Sequence, residues 1–204
     1  VIRCVGDPAE RFAEDALRML RALRFAARLS FRIDGETAAA IHAARTRLRA
    51  VAPERLHKEL SGILCGRQAA ALLEEFSDVL FELIPELAPC QGFRQYNPHH
   101  TRDVWTHTLA VVDGVPPEES LRLAALLHDA GKPATFFFDK NLVGHFYGHP
   151  AAGAAVTEEV LRRLRYDRAT TEFVTQLVAV HGRPIPDDLR GMRRMLARLG
   201  APDC

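Results

Sequence analysis

Apolar residues along most of this chain recur at three- and four-residue intervals, the period of a helix with one buried face. The first such segment runs from about residue 7 to residue 29, with Asp7 placed to cap it and Pro8 in its first turn. A second covers 36–48, and a third opens at Pro53 and ends near Gly66. Shorter helices fit 67–76 and 77–84, ahead of Pro85 and Pro89. After the loop-forming stretch 88–101, with its Gly92, Asn97 and Pro98, the helical period resumes over 102–113, 117–130, 149–165, 168–182 and 187–199. Period-two alternation is scarce. A short extended piece, Phe31-Arg32-Ile33, and one candidate hairpin near 135–147 are all the strand this pattern supports. The predicted fold class is therefore all-α, with one small β-hairpin. Residues 1–66 form a first helical block, 67–99 connecting helices, and 100–204 a second block, with 88–101 as the best boundary.

Composition narrows the class. At 204 residues, 48% apolar and 26% charged, the chain can bury a core, which argues against disorder as the whole account. No run of 18 apolar residues exists, so no membrane span is expected. The chain opens at Val1 without an initiator Met or an apolar signal core, and both ends fall in mid-pattern, so it reads as an internal piece of a longer protein. Cys4, Cys65, Cys90 and Cys204 form no Cys-x-x-Cys pair and fit reduced thiols in a cytoplasmic protein. Charge is unevenly spread. Residues 1–70 are net +5, 71–160 net −8 and 161–204 net +4. Basic ends suit a polyanion, and the acidic, His-rich middle suits a cation; solvated helix faces would give the same counts.

Two constellations carry candidate chemistry. In RFAEDALRMLRALRFAARL, Asp15, Arg18, Arg21 and Arg24 recur every third residue. On a continuous helix each step drifts by about 60°, so Glu14, Asp15, Arg18 and Arg21 fan across one polar face, with Arg24 at the apolar edge. A carboxylate and a guanidinium one turn apart match the amine donor and ring acceptor on the pairing edge of adenine or cytosine. The further arginines could hold phosphates as bidentate donors. The same spacing also makes an ordinary exposed ion pair, worth a few tenths of a kcal/mol.

The run 1–64 resembles the neck of the tRNA nucleotidyltransferases, the CCA-adding enzymes and their poly(A) polymerase relatives. The likeness rests on Ile2-Arg3, Gly6-Asp7-Pro8, Arg11-Phe12, Glu14-Asp15, Arg18, Leu20-Arg21-Ala22, Arg24-Phe25-Ala26, Arg28-Leu29, Glu54-Arg55 and Glu59-Leu60. The resemblance implies that Asp15 and Arg18 select ATP and CTP by imitating a pairing partner. It also implies that Arg21 and Arg24 hold the nucleotide and that Arg55 and Glu59 brace the neck. That family's head carries a Gly-Ser element and an Asp-x-Asp pair for Mg²⁺; neither occurs in these 204 residues, where Asp187-Asp188 are adjacent. A piece of this kind would bind nucleotide weakly without polymerising it.

The second constellation is HHTRDVWTHTL, LRLAALLHDAGKP, GHFYGH and LVAVHG. His107 shares a helix face with Val104 and Val111, so it points into a core or cleft. His128 and Asp129 end an apolar helix before Gly131, read as its C-cap. An imidazole and a carboxylate at one helix end suit Mn²⁺, Fe²⁺, Ni²⁺, Co²⁺ or Zn²⁺. Buried, hydrogen-bonded side chains are the plainer reading for His99, His100 and His145, and His42 and His57 read as surface helix residues. Residues 100–182 resemble the HD phosphohydrolases, through His107, His128-Asp129, His149 with Gly153, and His181. That likeness implies a divalent-metal site at these five positions. A mononuclear site of this type normally closes with a late Asp; here that ligand is Asp187 or Asp188, lies beyond Cys204, or is absent.

Together the resemblances imply a piece of an enzyme that adds CMP and AMP to tRNA 3′ ends. It would supply base selection and a tRNA-holding scaffold beside an HD domain, with tRNA, ATP and CTP as partners, Mg²⁺ as the parent cofactor and no membrane. The alternatives are a metal-dependent HD phosphohydrolase acting on nucleotides or on cyclic or terminal phosphates, and a non-catalytic RNA-binding helical module.

Overall fold

A computed structural model of the chain describes residues 1–96, 102–184 and 186–198; His99, His100 and Cys204 lie outside the described residues. It is helical, as the periodicity predicts. The helices are α1 (Pro8–Glu14), α2 (Leu17–Leu29), α3 (Gly35–Ala44), α4 (Pro53–Leu64), α5 (Ala69–Glu75), α6 (Ser77–Leu83), α7 (Val104–Gly114), α8 (Glu119–Leu127), α9 (Lys132–Thr135), α10 (His149–Arg163), α11 (Arg168–Val180) and α12 (Leu189–Arg198). 3₁₀ turns continue α3 over Arg45–Ala50 and α6 over Pro85–Cys90. The hairpin is present but minimal: β1 (Phe137–Phe138) pairs antiparallel with β2 (Gly144–His145). The piece Phe31-Arg32-Ile33 supplies an isolated parallel bridge between Ile2 and Ile33.

The first helix is not continuous. Asp15 sits at φ −148°, ψ 104°, extended backbone that ends α1, and its carboxylate accepts the Leu17 N–H at 3.1 Å as α2 begins. A short acidic side chain competes for backbone N–H groups in this way, and here it starts a new helix rather than continuing the old one. The sequence places Asp15 on a helix face; the structure places it at a break between two helices.

Asp7, Asp34, Asp103 and Asp167 cap α1, α3, α7 and α11, each accepting a backbone N–H from the first turn. Asp188 does the same for α12, where it accepts the Gly191 N–H at 2.7 Å.

Helix α2 buries Leu17, Met19, Leu20, Leu23, Ala26 and Ala27 and packs chiefly on α4, while α10 packs chiefly on α11. Helix α8 lies against α7, α11 and α4. One core of buried side chains runs without interruption from Phe12 to Val178. Each fully buried Leu or Phe in it contributes about 1.5–3 kcal/mol relative to exposure. Polar links join the same elements: His57 Nδ1–H donates to the Leu164 carbonyl at 2.8 Å, and the Ser61 and Tyr166 hydroxyls lie 2.9 Å apart. His57 and His42 are thus not simple surface residues. His42 stacks on Phe76 at 4.8 Å and pairs with Asp78.

Gly131 departs from its expected role. Its φ of −80° is right-handed, so it is no left-handed C-cap. A Cβ there would lie 2.4 Å from the His149 carbonyl oxygen and 2.5 Å from the Gly153 nitrogen. Glycine is required because the backbone of α10 crosses the turn after α8 at this point. Among the described residues, no helix is long and apolar enough to cross a membrane. No disulfide joins Cys4, Cys65 and Cys90.

Candidate functional site

The crossing at Gly131 brings the start of α10 against the end of α8, and with it His149 against Asp129. Asp129 is 1% exposed and lies at the centre of a ring of imidazoles. Its Oδ2 is 3.0 Å from His128 Nε2 and 3.6 Å from His107 Nε2. Its Oδ1 is 3.6 Å from His149 Nε2 and 3.8 Å from His181 Nε2. The structure therefore gathers all five residues singled out in the histidine-rich block. Neither late Asp joins them: Asp188 caps α12, and Asp187 is exposed. His181 occupies the remaining side of the ring.

Backbone carbonyls orient three of the four rings. His128 Nδ1 meets the Ala125 carbonyl at 2.8 Å, His149 Nδ1 meets Phe146 at 2.8 Å, and His181 Nδ1 meets Val178 at 2.7 Å. For His128 and His181 these are carbonyls of a helix's last turn, which lack intrahelical partners. A carbonyl can only accept, so each Nδ1 carries the proton, and the Nε2 of His149 and of His181, when those rings are neutral, turns a lone pair inward. His149 Nε2 and His181 Nε2 then face each other at 3.2 Å, acceptor to acceptor. Both buried Asp129 oxygens lack a well-directed hydrogen bond. Inward lone pairs on His149 and His181 beside a buried carboxylate call for a cation, and imidazole with carboxylate suits a transition metal.

Electrostatics agree with that geometry. Burial pushes the Asp129 carboxyl up, but His128 and Lys132 outweigh it and hold the group well below the usual carboxylate range. Burial is the largest influence on His149 and His181 and lowers both, favouring neutral rings.

Two neighbours escape a search for ligand types. Lys132, 5% exposed, places Nζ 2.8 Å from Asp129 Oδ2 and donates to Gln95 Oε1, also at 2.8 Å. A lysine this buried must be paired. The signal in the sequence is its position three residues after Asp129 in the turn HDAGKP, where an ammonium returns to the carboxylate. Gln95 carries no comparable signal.

The candidate nucleotide residues are more dispersed. Asp15 Oδ2 accepts from Arg55 Nη2 at 2.9 Å, tying the α1–α2 break to α4. Arg18 Nη1 donates to Glu14 at 2.5 Å and to the Arg11 carbonyl at 2.9 Å. Arg24 Nε donates to Glu59 at 2.5 Å, and its stem fits against Gly62, where a Cβ would lie 2.3 Å from Arg24 Cδ. Its guanidinium also lies over Phe25, 4.4 Å from the ring centre. Arg21 is exposed and has no ion-pair partner among the described residues. Asp15 and Arg18 thus do not bond side chain to side chain, although the Arg18 N–H donates to the Asp15 carbonyl.

Comparison with known proteins places these features in context. Residues 30–90 match the family model described as the probable RNA and SrmB- binding site of polymerase A, and residues 99–200 match the HD domain model. The chain is 37% identical to a CC-adding tRNA nucleotidyltransferase of Thermus thermophilus, over 93% of this chain and 46% of that protein. It is 34% identical to an A-adding tRNA nucleotidyltransferase of Deinococcus radiodurans, over 97% and 48% of the two chains. It is 32% identical to a multifunctional CCA protein of Ralstonia nicotianae, over 95% and 47%. The chain spans about half the length of these curated relatives.

Proposed function

The chain belongs to the HD-domain family and, through the region ahead of that domain, to the tRNA nucleotidyltransferase and poly(A) polymerase family; on that premise we propose that it selects nucleotides and holds tRNA for the addition of CMP and AMP to tRNA 3′ ends in the cytoplasm. Residues 1–66 would be the nucleotide-recognition neck, 67–99 the connecting body and 100–204 the HD domain. The observation that carries this reading is the α1–α2 break. It leaves Asp15 and Arg18, with side chains 29% and 32% exposed, on one rim. Arg18 spends only Nη1 on the protein, so Nη2 and Nε remain to donate. Each Asp15 oxygen accepts one bond and keeps a lone pair. The rim can therefore offer an acceptor beside a donor to the pairing edge of ATP or CTP. Arg21 and Arg24 would hold the nucleotide, Arg24 through the guanidinium nitrogens that Glu59 leaves free, while its Nε–Glu59 bond steadies the rim. The Asp-x-Asp pair that would hold Mg²⁺ for transfer is not among these residues, and no transfer step is assigned to them.

The chain itself provides the test. Equilibrium binding of the four nucleoside triphosphates should favour ATP and CTP over GTP and UTP. Arg18→Ala and Asp15→Ala should each weaken the preference roughly ten- to hundredfold, the cost of a charge-assisted hydrogen bond. Unchanged discrimination in both variants would return these residues to bracing alone. The chain should not extend tRNA lacking its 3′ terminus, and extension by a homogeneous preparation would refute the assignment.

A second reading, a metal-dependent phosphohydrolase, is favoured by the Asp129 ring. The donors fit a divalent transition metal, with His107, His128 and Asp129 as one group and Asp129, His149 and His181 as another. Asp129 would then belong to both groups, one oxygen to each. When bound, such a metal supplies Lewis-acid polarisation of a phosphate ester. The chain's own part is to orient three rings through the Ala125, Phe146 and Val178 carbonyls and to bring the Lys132 ammonium beside the carboxylate. Metal content after loading with Mn²⁺, Ni²⁺, Co²⁺ or Zn²⁺, with Asp129→Ala as control, tests the site. Equal metal in both proteins would remove the reading.

A further inference from the structure

The Asp129 carboxylate has two unlike sides. On the Oδ2 side, Lys132 Nζ lies 2.8 Å away and His128 Nε2 3.0 Å away, with His107 Nε2 at 3.6 Å. The lysine is held there. It is 5% exposed, its Nζ donates to Gln95 Oε1 at 2.8 Å, and the centre of the Phe146 ring lies 5.3 Å from Nζ. Gln95 is itself 2% exposed and donates from Nε2 to the Arg102 carbonyl at 3.1 Å, so the anchor is fixed in turn. On the Oδ1 side stand two imidazoles, His149 Nε2 at 3.6 Å and His181 Nε2 at 3.8 Å, and these nitrogens lie 3.2 Å from each other.

The Oδ1, His149 and His181 separations have the size of a metal site. Donors about 2.1 Å from one ion at tetrahedral angles lie about 3.4 Å apart. Charge makes the same choice. A divalent ion on Oδ2 would sit beside a buried ammonium, whereas on Oδ1 the carboxylate stands between the two cations. Their repulsion falls with distance and is strongest where water is excluded. We propose that Lys132, anchored by Gln95, holds the Oδ2 side of Asp129 as a resident cation, so that a divalent ion binds on the Oδ1 side between His149 and His181, and binds more weakly than it would without the lysine. The proposal rests on the metal centre of the phosphohydrolase reading and deepens it, making Lys132 a determinant of where the ion sits and how readily it exchanges.

The test is titration of the chelator-treated chain with Co²⁺, followed by calorimetry and by visible absorption, which is intense for a tetrahedral Co²⁺ centre. One ion per chain is expected. His181→Ala should weaken binding roughly a hundredfold or more and lose the tetrahedral spectrum, while His107→Ala should change affinity by less than about threefold and keep it. Lys132→Met should bind Co²⁺ roughly tenfold more tightly, because a like charge has gone. A lysine that only supported the fold would, on removal, loosen the site instead. Both histidine variants keep the Lys132–Asp129 pair, so they decide the matter even where Lys132→Met fails to fold. Loss of the ion from His107→Ala, or unchanged or weaker binding by a folded Lys132→Met, overturns the proposal and leaves the metal centre standing. No ion bound by the wild type overturns the metal centre and the proposal together.

Discussion

Replacing Gly131 by Ala probes the close crossing that assembles the metal centre. The added Cβ would lie 2.4 Å from the His149 carbonyl oxygen and 2.5 Å from the Gly153 nitrogen, both backbone atoms that cannot rotate away. Relief requires α10 to move off the turn after α8 by several tenths of an ångström. Overpacking of this kind costs about 1–3 kcal/mol, and a backbone obstacle puts it at the upper end, near 3 kcal/mol. For a chain of this size that lowers Tm by about 6–12 °C. The movement also carries His149 away from Asp129, so affinity for a loaded metal should fall more than stability alone would imply. Two companions calibrate the effect. Gly153→Ala meets the His128 carbonyl only at 3.2 Å and Val178 Cγ1 at 3.3 Å, so it should cost about 1 kcal/mol. Gly114→Ala meets nothing within 4 Å and should be neutral or stabilising by up to about 1 kcal/mol. Thermal unfolding followed by circular dichroism, with metal binding by calorimetry, gives the order. A Gly131→Ala protein melting with the wild type would refute the close crossing and the account of how the ring is assembled.

The Arg24–Glu59 pair, with side chains 20% and 13% exposed, should lose about 1–3 kcal/mol in Arg24→Ala, and less in the double variant with Glu59→Ala, which removes the stranded carboxylate; additive losses in urea titrations would count against coupling. Burial pushes the Glu86 carboxyl up, but the bond from Arg163 outweighs it and leaves the group below its ordinary 4.5. A carboxylate lowered by folding stabilises above its unfolded value and loses that contribution as pH falls through the folded one. The stability gap between wild type and Arg163→Gln should therefore be about 1 kcal/mol at neutral pH and should close as pH falls below the ordinary carboxylate range; a gap independent of pH would contradict the pairing. Burial pushes the Cys90 thiol up to about 12, so alkylation at about pH 8 followed by mass mapping should leave Cys90 unmodified in the native chain; rapid labelling would show that it is accessible.

Much of this architecture is legible in periodicity, because helix-forming stripes and Asp caps are local properties. The helices after residue 102 begin and end close to where the apolar stripe and the capping residues put them. The four histidines and Asp129 were legible by residue type, and their convergence depends on helix ends that meet in three dimensions. The break at Asp15 was not legible. Nothing in the local pattern distinguishes a helical aspartate from one that turns back to cap the next helix; the partner that holds it, Arg55, lies 40 residues away. Gly131 misled for a similar reason. A glycine after an apolar helix usually signals a left-handed cap, but here the demand comes from another helix crossing it. Lys132 and Gln95 were missed because their part is to neutralise and position, and neither belongs to a ligand type.

The uninterrupted core from Phe12 to Val178 has a mechanical corollary. The Asp15 rim and the Asp129 ring stand on helices joined by α4 and α8, and the His57–Leu164 and Ser61–Tyr166 links pin that junction. Changing the span between the two centres would require prising apart close-packed side chains, at a cost that grows with the width of the gap opened between them. Like two marks on a rule, they keep their separation while whatever binds them bends, so adjustment falls to the bound molecule rather than to this part of the protein.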